Sequence, residues 1–105
     1  NNNITADAQE QQHQQWVPPR HGWLKCNVDA GFHNDGRITS GGWCIRDETG
    51  HFIQAGTYWE RGAFSIAEAE ALALWKAMQI ACNLNMANII FESDAQVVTG
   101  AIQAN

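Results

Sequence analysis

An α/β fold built on a mixed sheet is what this sequence predicts, and three observations carry it. Residues 24 to 29 alternate Leu24, Cys26 and Val28 against Lys25, Asn27 and Asp29, the period-two pattern of a half-buried strand. Two further apolar runs, Trp43 to Ile45 and His51 to Trp59, flank Asp47-Glu48-Thr49-Gly50, whose leading Asp and closing Gly suit a type I turn between hairpin strands. A long Ala- and Leu-rich stretch then precedes the short apolar run Ala87 to Phe91, so a helix bridges two strands. The predicted order is β-β-β-α-β-α, an antiparallel start followed by a β-α-β step.

Taken in order, residues 1 to 15 hold one large apolar side chain, Ile4, and cannot bury enough surface to offset ordering entropy. They read as a disordered polar tail or linker, leaving one domain over 16 to 105. Pro18 and Pro19 impose an extended path, so the folded part is expected to start near Trp23. Ala30 and Gly31 begin the exit from the first strand, and residues 32 to 40, polar around Gly36, read as a turn or loop. Gly41 and Gly42 lead into the second strand, which Arg46 ends. Ser65 and Glu68 stand three apart, the spacing of a capping box, and open a helix that runs to about Leu84. Its Ala, Leu, Trp and Met residues lie on nearly every side, so it is expected to be covered on more than the sheet-facing stripe. Ser93 and Gln96 offer a second capping box before Val97, Val98, Ala101 and Ile102, which predicts a second helix.

Composition narrows the class. At 105 residues and 45% hydrophobic content the chain supports one core. A net charge of -5 opposes sequence-independent attraction to phosphate, unless bound metal ions reverse the local sign. Cys26, Cys44 and Cys82 lack the spacings of a zinc site and read as reduced and buried. No apolar run reaches the roughly 18 residues of a membrane span, and a signal-peptide pattern is absent. An intracellular location, nuclear or cytoplasmic, is the default expectation.

Three acids sit where strand ends and helix starts would present them together: Asp29, Glu70 and Asp94. Carboxylates converging beyond strand ends bind Mg²⁺ through hard oxygen ligands. Plainer readings stand beside this one. Asp29 could start a turn with Ala30 and Gly31, and Asp94 could favour the positive end of the second helix. Glu70 could be a solvated flank of the first helix, although its neighbours Ala69, Ala71, Leu72, Ala73 and Leu74 would make burial costly without a partner or a metal.

The segments CNVDAGF, SGGWCIRDETG, AEALALWKAM and IIFESDAQVVTGAI, in this order and spacing after a WVPP lead-in, resemble the successive signatures of plant, retroelement-derived ribonuclease H-like domains. The resemblance spans about residues 16 to 105. It implies a ribonuclease H-like mixed sheet lacking the family's final strand and helix, which would fall after Asn105 with a fourth carboxylate. Uncovered apolar surface and a free sheet edge are the expected result, and a parent reverse transcriptase or another partner would cover them. The resemblance also implies Mg²⁺-dependent cleavage of the RNA strand of an RNA-DNA hybrid, with Mn²⁺ as an alternative ion. Asp29, Glu70 and Asp94 match the family's metal-binding acids: Asp29 would bridge two ions, Asp94 complete the first site and Glu70 hold the second. Ala30 departs from the Gly that commonly follows the first aspartate. A catalytically degenerate nucleic-acid-binding or interaction module is the alternative, and a fragment without independent function is a third reading. His13, His21, His33 and His51 read as surface residues, and the tryptophans as mainly packing residues.

Overall fold

The computed structural model describes residues 16–93 and 99–102, so the tail expected over residues 1 to 15, and Asp94, Gln96, Val97 and Val98, lie outside the described residues. The first strand outlasts its expected exit. β1 spans Leu24–His33 and pairs antiparallel with β2, Ile38–Arg46, from Lys25 opposite Arg46 to His33 opposite Ile38. The loop expected over residues 32 to 40 contracts to a turn over 34–37, where Asn34 and Asp35 take φ of 52° and 55° and Gly36 takes 82°. Asn, Asp and Gly tolerate the left-handed region best, and consecutive residues in it reverse a chain with the twist that flanking strands need. The amides of Gly36 and Arg37 close the turn on the carbonyls of His33 and Asn34, both at 3.1 Å.

The second turn forms where expected, with Gly50 N–H on the Asp47 carbonyl at 3.0 Å. Asp47 Oδ1 also accepts from Thr49 N–H, Thr49 Oγ1 and the His51 N–H at 2.7 to 2.9 Å, so one carboxylate holds the reversal. β3, Phe52–Arg61, returns antiparallel to β2 with a bulge beside Ile45 and Arg46. Two large rings cross this hairpin. A Cβ on Gly41 would lie 2.1 Å from the Tyr58 ring and one on Gly56 2.2 Å from the Trp43 ring, so each ring occupies the space of a missing side chain.

Helix α1, Ile66–Asn83, opens with the expected capping box: Ser65 Oγ accepts from Glu68 N–H at 3.0 Å, and Glu68 Oε1 from Ser65 N–H at 2.8 Å. It ends on Asn85, at φ 57°, with Met86 N–H on the Ala81 carbonyl and Asn85 N–H on that of Cys82, a Schellman closure. Its buried residues are Ala69, Glu70, Ala73, Leu74, Ala77 and Ala81, one stripe only. The expectation of cover on more sides is corrected here: Ile66, Trp75 and Leu84 are exposed. Small alanines bring the helix close to the sheet along that stripe, and among the described residues no second helix packs on its back. Cys82 is likewise exposed, contrary to the expectation of burial, while Cys26 is buried and Cys44 half-buried; all three are free thiols.

β4, Ile89–Ser93, runs parallel to β1, from Ile89 beside Leu24 to Ser93 beside Val28. The element after it corrects the predicted order. Thr99–Ile102 is a strand, β5, antiparallel to β4, where a second helix was expected. Thr99 is β-branched and Gly100 costs about 1 kcal/mol in a helix interior. Pairing also satisfies amides and carbonyls along the β4 edge. Among the described residues the elements run β-β-β-α-β-β and the mixed α/β sheet has the order β3-β2-β1-β4-β5.

α1 packs on β1, β2 and β4. Cys26, Val28, Ile45, Ile89 and Phe91 meet Ala73, Leu74, Ala77 and Ala81 there, with Phe91, Ile45 and Ile89 fully buried. Among the described residues no helix covers the opposite face. At one end of that face the Trp16 Nε1 donates to Asn27 Oδ1 at 3.1 Å, and Lys25 Nζ donates to the Val17 carbonyl at 2.6 Å and pairs with Glu92 at 3.1 Å. Trp16 and Val17 thus already make folded contacts, ahead of the expected start near Trp23. Among the described residues no helix is long and apolar enough to cross a membrane.

Candidate functional site

Glu70 lies in the early turns of α1, between the inward-facing Ala69 and Ala73, and is carried into the core with them. Only 4% of it is exposed, which rules out the solvated-flank reading. Ser93 Oγ donates to Glu70 Oε2 at 2.9 Å, so the carboxylate is held against the end of β4. Ser93 was expected to cap a second helix. The alternation Ile89, Phe91, Ser93 instead turns its hydroxyl toward α1. Hydrogen bonds to a carboxylate are charge-assisted and stronger than neutral ones, which offsets part of the cost of burying it.

Tyr58 reaches the same neighbourhood from β3 by lying across Gly41. Burial raises its phenol above the usual range, and the negative charges of Glu60 and Glu70 push the same way. Lys76 Nζ sits 4.9 Å from the centre of the Tyr58 ring, a cation-π contact from the next turns of the helix.

Asp29 follows Val28, the last β1 residue paired with β4, and is exposed. Because β1 continues to His33, Asp29 does not start a turn; its Oδ1 accepts from the Ala30 N–H at 2.9 Å. Strand alternation puts its side chain on the face opposite Val28, with Asn27 and Gly31. Asp29 and Glu70 are thus brought to the same end of β4 but to opposite sides of the β1 backbone. Asp94, which follows Ser93 in sequence, lies outside the described residues. Among the described residues no three His, Cys, Asp or Glu side chains are grouped to hold a metal ion.

Around Asp29 the open face is concave. Two adjoining clefts, of about 480 and 430 Å³, share Asp29, Gly42 and Thr57. Gly42 stands between Asp29 and Thr57 in the ladder and contributes no side chain, so the floor beside the carboxylate is backbone. One rung further, Ser40 Oγ is 2.9 Å from His33 Nε2, and the His33 ring lies 4.5 Å from that of Trp59.

Several of these residues escape a reading by sequence. Lys25 sits on the polar side of the β1 alternation yet is 5% exposed, because the Trp16 to Pro19 segment folds over it. His33 and Trp59 are separated by 26 positions and meet only through the two hairpins. Ser93 could have been found by extending the β4 alternation one step past Phe91. Cys26, by contrast, is chemically quiet: burial, with a smaller contribution from Cys44, pushes its thiol up to about 12.

Comparison with known proteins adds one finding. A family model described as reverse transcriptase-like matches residues 27–105, which include Asp29, Glu70 and Asp94. No curated protein matches the chain.

Proposed function

We propose, on the premise that the chain belongs to the reverse transcriptase-like family with its ribonuclease H-like fold, that it is an RNA-DNA hybrid ribonuclease. The observation that supports this most is Glu70: a carboxylate buried to 4% exposure, hydrogen-bonded to Ser93, whose neighbour in sequence is Asp94. A helix residue of that kind is costly for stability and is more readily understood as part of a site.

Asp29, Glu70 and Asp94 are the residues that would hold Mg²⁺, or Mn²⁺, and a set of carboxylate oxygens is the donor chemistry those ions select. The chemistry supplied with the ions bound is Lewis acidity and activation of water for in-line displacement at phosphorus. The chain's own contribution is positional. Ser93 Oγ orients the Glu70 carboxylate, Tyr58 lies across Gly41 within range of the Glu70 charge, and Asp29 faces the cleft floored by Gly42. RNA would be distinguished from DNA at its 2′-hydroxyl, for which Thr57 and Ser40 offer polar partners in the same clefts.

A second reading, a binding module without turnover, is favoured by the placement of Asp29 and Glu70 on opposite sides of β1. One experiment separates the two. A labelled RNA-DNA hybrid is incubated with Mg²⁺ and the chain, or with Asp29→Asn, Glu70→Gln or Asp94→Asn. The nuclease reading expects cleavage that each substitution lowers by about 100-fold or more, the scale of losing a charge-stabilising group. Folded protein that binds the hybrid and leaves it intact would support the second reading instead.

A further inference from the structure

Trp59, near the end of the edge strand β3, is 62% exposed. Its ring is nevertheless held, with the His33 ring at 4.5 Å and a 42° tilt, and His33 in turn is fixed by Ser40 at 2.9 Å. A clamped aromatic ring with most of its surface open has already lost the rotamer freedom that a ligand would otherwise have to freeze. It projects from the helix-free face, in the cleft that also contains Asp29 and Thr57. By strand spacing it stands ~10 Å across the sheet from Asp29 and ~7 Å along it. Arg61 follows on the next rung of the same face, opposite Ile38, and is exposed.

An aromatic plate, an adjacent cation and hydroxyl groups on an open sheet are the elements that hold unpaired nucleotides. The plate stacks one base and the cation meets a phosphate. A duplex would not use the plate, because its base faces are already stacked. We propose that the face of the β1-β2-β3 hairpins binds a single-stranded stretch of nucleic acid, with one base stacked on Trp59 and the backbone passing Arg61 on its way to the Asp29 cleft. This rests on the reading of the chain as one that acts on nucleic acid, and it adds the site that receives an unpaired end.

The test is binding of a fluorescent single-stranded RNA, followed by anisotropy in EDTA so that cleavage cannot contribute. Trp59→Ala weakens binding roughly tenfold, the fold-change that about 1.4 kcal/mol of lost base stacking produces, and Trp59→Phe restores most of it. Arg61→Gln lowers the salt dependence by about one phosphate contact. Trp75→Ala, which removes a tryptophan of similar exposure from the helix, leaves the affinity unchanged. Affinity of Trp59→Ala within twofold of the wild type, an equal loss in Trp75→Ala, or no binding by the wild-type chain overturns the proposal. Trp59-dependent binding without hybrid cleavage would remove the nuclease reading alone. Cleavage with binding indifferent to Trp59 would remove this one alone.

Discussion

On the helix side of the sheet, Cys26, Val28, Ile45, Ile89 and Phe91 are at most 2% exposed; on the other side, in strands one residue out of step, Asp29, Thr57 and Trp59 face solvent. The same backbone serves both, and the period of two keeps them apart. The helix side is closed by short contacts among apolar groups, so its tolerance for change is small. The open side leaves Asp29, Thr57 and Trp59 exposed, so substitutions at these three positions disturb less packing. The difference shows where stability is stored in this chain, and on the proposals above the open side is where recognition would lie.

The contrast can be broken first at its most buried point. Phe91→Ala is expected to cost about 3 to 5 kcal/mol, and Leu74→Ala about 2 to 5, measured by urea unfolding. Similar losses from Thr57→Ala or Trp59→Ala, where about 0.5 kcal/mol or less is expected, would end the distinction between the faces. Gly41→Ala tests the crossing ring: with Tyr58 in the space of the new methyl, a loss of about 1 to 3 kcal/mol is expected, and Gly41→Ala combined with Tyr58→Ala should be less than additive. Ser65→Ala removes the cap of α1 and should cost about 1 kcal/mol, whichever face is considered.

The smallest effect concerns acid. Hydrogen bonds from Thr49 first, and from the His51 and Thr49 amides, hold the Asp47 carboxyl below its ordinary range, and Ser65 does the same for Glu68. A folded-state value below the unfolded one gives stability that is present above the unfolded value and lost as pH falls through the folded one. Unfolding midpoints should therefore drop on acidification through and below the usual carboxylate range. Asp47→Asn should show a shallower drop, and an unchanged slope would contradict the carboxylate's role in the turn. Glu68 is exposed and Asp47 is only partly covered at the surface, so the change is modest.

Local chemistry was the legible part of the sequence. The Ser65 and Glu68 pair, the Asp47 to Gly50 turn and the α1 boundaries are encoded within a few residues and appear where expected. The α/β class with a mixed sheet followed from those elements in order. Structure that depends on distant partners was harder to read. Thr99–Ile102 looked helical from a cap signal at Ser93, but the β4 edge offered it a ladder. Residues 32 to 40 have the polar composition of a loop, but the left-handed preference of Asn34, Asp35 and Gly36 confines the reversal to a tight turn between two strands. At the candidate site, the cost of burying Glu70 was readable from its alanine and leucine neighbours. Its hydroxyl partner on β4 was not, since Ser93 lies 23 positions away.

The paired crossings of Tyr58 over Gly41 and Trp43 over Gly56 have a consequence for how such a chain can change over generations. Each glycine and its ring share one volume, so neither can drift alone: a larger residue at 41 must arrive with a smaller one at 58, and likewise for 56 and 43. Related sequences should therefore show these positions varying as two linked couples, with Gly42, which meets no ring beside Asp29, free of any such partner.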